Sequence, residues 1–241
     1  MLFRSGQVPL PPRAGSGSVA LQAILRHASI EPEVLVKVSA EVRWFWKTSA
    51  PAGLEQWFKS PELHGGLGPG GGTLPRTDLY RRSSQTDLGI KLRGNKGYEV
   101  KGLVAELAPL TDGPFAGAVE LWSKWDADGL RFDALELVPT TKLRWIRKLD
   151  TDGAQPGEVE IGEDERPRDA TKVPVTGCQV ELTRVFVGKE AWWSFSFEAF
   201  GTVATVEGSL RAAAALMATR EPPPLKDGIL ASYPAWLKGL E

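Results

Sequence analysis

A regular alternation of apolar and polar residues is the feature of this sequence that most restricts its fold. In the segment VLVKVSAEVRWFWK at 34–47, the even positions from Val36 to Trp46 are all apolar. The odd positions from Lys37 to Arg43 are polar or charged. Successive side chains of a β-strand point to opposite faces, so this period predicts a strand with one apolar and one polar face.

Similar short segments follow, separated by turn signals. Strands are predicted at 76–82, 88–94, 97–107, 117–126, 130–138, 140–150, 177–187 and 191–201. Apolar residues at helical spacing predict helices at 51–59 and 203–219, and a short amphipathic segment at 232–240. The chain lacks the rhythm of alternating strands and helices that builds parallel sheets. The prediction is a mainly β (α+β) fold, a single antiparallel β-barrel or strongly curled sheet with a few helices packed outside.

The N-terminal region has a different composition. It is rich in Gly, Pro and Ser, which is typical of a flexible segment. We therefore predict a flexible extension at 1–32 and a β-barrel domain, including the C-terminal helices, at 33–241.

Composition excludes several classes of protein. A chain that is 42% hydrophobic is not wholly disordered, and a formal net charge of −1 gives no global basic field for nucleic acid. No apolar run reaches the ~20 residues needed to cross a bilayer. Cys178 is the only cysteine, which fits a reducing compartment. We expect a cytoplasmic protein with neither a nucleic-acid nor a membrane partner.

Charged residues of both signs share one face of most predicted strands. Lys91 and Arg93 lie on one face, as do Lys142 and Arg144, while Glu181 opposes Val180 and Leu182. This face is either solvated, as in a half-exposed sheet, or turned inward as the polar lining of a tunnel. Helices at 51–59 and 203–219 would cover the apolar faces from outside, which favours the tunnel.

The order of several motifs resembles the CYTH, or triphosphate-tunnel, superfamily. The motifs are TDLY, LGIKLR and YEVKG, followed by KLR, VELTRV and SFSFEAFG. The resemblance implies an eight-stranded antiparallel tunnel that binds triphosphates, with Mg or Mn held by carboxylates in catalytic members. It also implies roles for individual residues. The implied phosphate binders are Lys91, Arg93, Lys101, Lys142 and Arg144, to which we add Arg43; the implied metal ligands are Glu41, Glu181 and Glu198.

The first strand departs from the family pattern of Glu-x-Glu-x-Lys. Here Glu41 is followed by Arg43 and Phe45, so a cation replaces the second carboxylate. This replacement opposes a divalent cation but adds to a basic lining. We therefore expect binding of a polyanionic small molecule, and leave open whether a triphosphate is hydrolysed.

Two other readings remain. The chain is alternatively a non-catalytic CYTH-like scaffold or a protein-interaction module, with Trp125, Trp192 and Trp236 as candidates for an exposed patch.

His27 and His64 have no metal-ligand spacing to Cys178. The acidic stretch at 158–165 is predicted to be a solvated loop.

Overall fold

The structure, a computed structural model, describes residues 36–93, 97–111, 113–127, 129–133 and 136–240. The predicted extension at 1–32, with His27, lies outside the described residues, and so does the turn at 94–96. The assignment of 33–241 to one domain stays a prediction.

The strands and helices of the described ranges are short to medium in length. The strands are β1 (Lys37–Lys47), β2 (Gly70–Gly71), β3 (Arg76–Arg81), β4 (Leu88–Arg93), β5 (Tyr98–Leu110), β6 (Gly117–Ala127), β7 (Leu137–Asp150), β8 (Gly157–Val159), β9 (Gly177–Val187), β10 (Glu190–Gly201) and β11 (Ile229–Leu230). The helices are α1 (Leu54–Lys59), α2 (Val206–Ala218) and α3 (Tyr233–Lys238), with 3-10 turns at Glu62–His64, Gly113–Phe115 and Ala170–Lys172.

Eight of these strands close into a ring. Hydrogen-bonded neighbours follow the order β10, β9, β7, β3, β4, β5, β6 and β1, and β1 pairs again with β10. All of these pairings are antiparallel. The predicted mainly antiparallel β class is confirmed.

The alternation in β1 divides its side chains between the outside and the interior of the ring. Val42 and Trp44 are buried in a hydrophobic core that also contains residues of α1 and α2. Arg43 points the other way and lines a cavity in the interior. The apolar face therefore lies outside under the helices, as the sequence predicts, and the polar face lies inside.

The helices α1 and α2 cover this outer core. In α1, Leu54, Trp57 and Phe58 are buried on one face, and a fully buried aromatic side chain contributes roughly 1.5–3 kcal/mol. The Trp57 indole donates a hydrogen bond of 2.7 Å to the carbonyl of Arg220, which ties α1 to the chain just after α2.

Residues 130–150 differ from the prediction of two strands. β7 runs as one strand from Leu137 to Asp150, and residues 130–133 form no strand. The predicted strands at 130–138 and 140–150 are separated at Pro139, but β7 continues through this residue. Pro139 is tolerated because the pairing of β7 with β9 begins only at the next residue, Thr140. Pro139 thus lies where β7 is paired on one side only, a position in which strands tolerate proline.

The acidic stretch at 158–165 is also more ordered than predicted. Glu158 in β8 has a buried side chain that accepts a hydrogen bond of 2.6 Å from Arg147 and pairs with Arg220. Ile161 is buried as well. The prediction of a solvated loop is wrong here because two cations with little exposure hold Glu158 against the ring.

The C-terminal helix α3 does not join the other two on the outside. Trp236 stacks on Phe45, with ring centroids 4.4 Å apart, and meets Trp192 edge-on. Phe45 and Trp192 belong to the interior face, so α3 packs against one end of the ring's interior. The prediction that the helices at 51–59 and 203–219 cover the apolar faces from outside agrees with the positions of α1 and α2, whereas α3 covers an end of the ring.

Among the helices of the described ranges, none combines the length and the apolar content that a membrane crossing requires.

Candidate functional site

The interior of the ring holds a cavity of about 230 Å³. All six cations predicted as anion binders line it, namely Arg43 from β1, Lys91 and Arg93 from β4, Lys101 from β5, and Lys142 and Arg144 from β7. Glu181 from β9 and Glu198 from β10 also line it. These side chains come from six strands, so closure of the sheet brings them together.

Glu41 lies nearby but does not line this cavity. Its side chain accepts a hydrogen bond of 2.6 Å from Ser39 and forms an ion pair with Lys101. It instead borders a smaller cavity of about 60 Å³ that also touches Arg43 and Ser232. The three predicted metal ligands are therefore not lining residues of a single cavity.

The acidic side chains of the interior are paired with cations. Glu181 lies 3.4 Å from Nη1 of Arg43 and 3.2 Å from Nη1 of Arg144. Glu99 pairs with Lys91 at 2.8 Å. Although burial opposes ionisation, Arg144 and Arg43 lower the pKa of Glu181 to about 2. Glu181 is thus a carboxylate at any physiological pH.

Glu198 is held in the same way on the other side of the cavity. It lies 3.5 Å from Nζ of Lys124 on β6. Burial raises its pKa, but Lys124, Lys101 and Arg43 together lower it well below its ordinary value. The carboxylates of Glu181 and Glu198, each paired with cations in a separate part of the cavity wall, therefore neutralise part of the basic lining.

Lys142 occupies the most enclosed part of the site. Its Nζ donates a hydrogen bond of 2.6 Å to the Tyr80 hydroxyl and lies 3.4 Å from Asp78. The same nitrogen lies 3.8 Å from the centroid of the Tyr233 ring. Burial, followed by the positive charge of Lys91, holds the pKa of Lys142 well below its usual value.

Positive charge remains in excess at the cavity wall. Eight Lys and Arg side chains line it, against four Glu side chains. Burial also lowers the pKa of Lys91, despite its ion pair with Glu99. A bound anion would relieve both the repulsion among these cations and their loss of hydration.

Two buried polar atoms add to this picture. Among the described residues, neither Nε of Arg93 nor Oγ of Ser196 has a hydrogen-bond partner. Ser196 stands directly opposite Arg43 in the β1–β10 ladder. Buried polar groups are nearly always paired, so unpaired groups on the interior face of a ring are suited to meet acceptor atoms of a ligand.

Several lining residues were not singled out by sequence reasoning. They are Arg76, Tyr80, Lys124, Glu165, Gln179 and Tyr233. Lys124 carries a usable signal, because alternation in the predicted strand at 117–126 places it on the same face as Glu120 and Trp122. Tyr233 and Glu165 carry none, because they reach the cavity from a C-terminal helix and a loop.

The interior carboxylates do not suit the metal that the resemblance implies. Mg and Mn need several free oxygen ligands, whereas Glu181 and Glu198 already face Arg and Lys groups. Within the described ranges, no group of three His, Cys, Asp or Glu side chains is arranged to hold a metal ion. A Mg or Mn site formed by Glu41, Glu181 and Glu198 stays a prediction that this donor set does not support.

Neither the protein-family models nor the curated proteins contain a match to this chain. Similarity to the CYTH superfamily therefore rests on the short motifs alone.

The tryptophans predicted for an exposed patch are largely covered. Trp192 and Trp236 are buried against Phe45, and Trp125 is half-buried against the Ile90 cluster. The large exposed hydrophobic side chains in the described part of the chain are all aliphatic. Trp192 and Trp236, candidates for an exposed patch in the alternative reading, are buried because α3 folds back onto the end of the ring.

His64 and Cys178 lie away from the cavity. His64 is buried beside Trp57 and Arg220, and burial together with Arg147 and Arg220 lowers its pKa to about 4. Cys178 is a buried free thiol in the outer core, and burial raises its pKa well above the ordinary value. Neither side chain lines the cavity.

Proposed function

We propose that the ring is a tunnel-like β-barrel of the CYTH type and that its interior binds a phosphorylated or otherwise polyanionic small molecule. The observation that carries this proposal is the cavity of about 230 Å³ whose wall has twice as many Lys and Arg as Glu side chains. Inorganic tripolyphosphate is the simplest probe of this class, because its oxygens match the Arg and Lys donors.

The geometry supports a small ligand over a macromolecule. The cations face inward from the strands, and α3 packs over one end of the interior. A nucleic-acid duplex needs a basic outer surface, whereas a compact anion fits a basic interior. The proposed partner is therefore a soluble polyanion in the cytoplasm.

Binding rather than hydrolysis is the activity proposed. Hydrolysis in the resembling family uses metal-bound carboxylates, and in this chain those positions are paired with cations. A non-catalytic scaffold or protein-interaction module is the alternative reading. It draws less support because Trp192 and Trp236 are covered.

Titration calorimetry with tripolyphosphate and with ATP tests the proposal. We expect binding to the wild-type protein and a loss of about a hundredfold or more in affinity for the double variant Lys91→Ala plus Arg93→Ala. Each charge-assisted hydrogen bond contributes about 1.5–3 kcal/mol, so two lost bonds account for this change.

The matched control removes two cations outside the cavity. Arg168→Ala plus Lys172→Ala changes the net charge equally, and both side chains are mostly exposed. This control should bind tripolyphosphate like the wild type. Absence of binding to any of these anions, or equal losses in the two double variants, would rule out a specific site in the ring.

A further inference from the structure

The guanidinium of Arg43 contacts a carboxylate, a hydroxyl and an aromatic ring. Nη1 of Arg43 lies 3.4 Å from Oε1 of Glu181 and 3.2 Å from Oγ of Ser194. Its Cζ lies 4.7 Å from the centroid of the Tyr233 ring. The guanidinium is thus held by three neighbouring side chains, with little solvent around it.

Of the three carboxylates that the family resemblance would give to a metal, Glu181 is in direct contact with Arg43. The Arg43 side chain is itself almost fully buried. An arginine keeps its proton under all physiological conditions. Arg43 is therefore a permanent cation beside Glu181.

A divalent ion held by Glu181 would have to share this carboxylate with the Arg43 guanidinium. Glu181 is also held by Arg144, and Glu41 by Lys101. A metal would need to displace those partners and would then lie beside two or more fixed positive charges. The site already contains the positive charge that a metal would bring to a phosphate oxygen.

We propose that the ring binds its polyanion without a divalent metal, and that Arg43, held by Glu181 and Ser194, takes the place of the ion. This proposal rests on the proposed function, since it concerns how the same cavity holds its ligand. The cavity would bind tripolyphosphate through guanidinium and ammonium groups alone.

Calorimetry in two solutions separates this proposal from the proposed function. Tripolyphosphate is titrated into wild-type protein in EDTA and again in excess Mg. We expect a dissociation constant in EDTA that is within threefold of the value in Mg, or tighter. A value in EDTA more than threefold weaker overturns metal-free binding but leaves the anion site standing. No binding in either solution overturns both.

A second measurement uses no phosphate. Free Mn²⁺ is followed by electron paramagnetic resonance as wild-type protein is added at concentrations up to millimolar. We expect the signal of free Mn²⁺ to stay unchanged. Stoichiometric loss of this signal would overturn the proposal, because it would show a protein site for the divalent ion.

Variants at position 43 test the role of the guanidinium itself. Arg43→Gln should weaken tripolyphosphate binding in EDTA at least tenfold, and Arg43→Lys should recover most of that loss because it restores the positive charge. Thermal unfolding confirms that each variant is folded. Unchanged binding by Arg43→Gln in EDTA would overturn the role assigned to Arg43. The Mn²⁺ measurement decides the question even if neither variant folds.

Discussion

The Nζ of Lys142 lies 3.8 Å from the centroid of the Tyr233 ring and 4.7 Å from that of the Tyr80 ring. Lys142 belongs to β7 of the ring, while Tyr233 begins the C-terminal helix. The two tyrosine rings are themselves stacked, with centroids 5.4 Å apart. The C-terminal helix thus contributes directly to the surroundings of the most deeply buried cation in the cavity.

Anion binding should be accompanied by uptake of a proton at Lys142. Burial and Lys91 hold the pKa of Lys142 well below its usual value, and a bound phosphate would raise it. Affinity should therefore decrease as the pH rises from the pKa of Lys142 in the free protein to its higher pKa in the complex, which is the range in which a proton is taken up. Calorimetry with tripolyphosphate in buffers of different ionisation enthalpy measures the number of protons taken up.

The control for this prediction is the variant Lys142→Met, titrated with the same ligand in the same buffers. Protons exchanged by the ligand itself are common to both proteins, so the difference between them belongs to Lys142. Equal proton uptake by the two proteins would assign the effect to another group.

Glu181 should stabilise the fold above pH ~5 and lose this effect on acidification. Its pKa is about 2 in the folded protein, below the value of 4.5 for a free Glu, so the unfolded chain binds more protons between these values. Stability from this group is therefore complete above the unfolded pKa and is lost as the pH falls from about 4.5 to about 2. The shift corresponds to about 3 kcal/mol.

Urea unfolding of wild-type protein and Glu181→Gln at several pH values measures this effect. The free energy of unfolding of the wild type should exceed that of the variant near neutral pH, and the gap should narrow by about 3 kcal/mol on acidification. A constant gap would mean that Arg43 and Arg144 do not favour the charged form of Glu181.

Trp236→Ala should destabilise the protein by about 3–5 kcal/mol and weaken tripolyphosphate binding. Trp236 is buried against Phe45 and Trp192, and it positions the helix that carries Tyr233. Lys238→Ala on the exposed side of the same helix is the control and should change neither property. Thermal unfolding and calorimetry provide the two measurements, and full stability of Trp236→Ala would exclude tight packing of α3 on the ring.

Arg147→Met should destabilise the protein by about 3–5 kcal/mol without affecting the cavity. This fully buried arginine donates to the carbonyls of Phe58 and Leu67 and to Glu158. It therefore joins α1, the loop that contains Leu67, and β8 to β7. The exposed Arg168→Ala should cost less than about 1 kcal/mol.

Denaturant unfolding compares these two arginine variants. Folded Arg147→Met should bind tripolyphosphate within threefold of the wild type, because its side chain faces away from the cavity. A large loss of affinity would show that the hydrogen bonds of Arg147 outside the ring affect the geometry of the cavity.

Alternation was sufficient to predict which side chains share the interior face. In β4 and β7 the lysine and arginine pairs at 91 and 93, and at 142 and 144, recur at a spacing of two, and all four side chains line the cavity. This prediction works because the period of a strand depends only on local backbone geometry. The same alternation could have predicted that Lys124 lines the interior, because its strand was predicted although the charged face of that strand was not examined.

What the sequence by itself determined was the mainly β class of fold and the apolar and charged faces of the longer strands, because side-chain direction repeats every two residues. Closure of the ring decided that the charged faces turn inward. Only the tertiary structure decided that α3 packs against the interior end, that Glu165 and Tyr233 reach the cavity, and that Arg43 is held by Glu181. These contacts join residues far apart in the chain. They depend on ring closure and on which surfaces remain to be covered, and no local pattern encodes either.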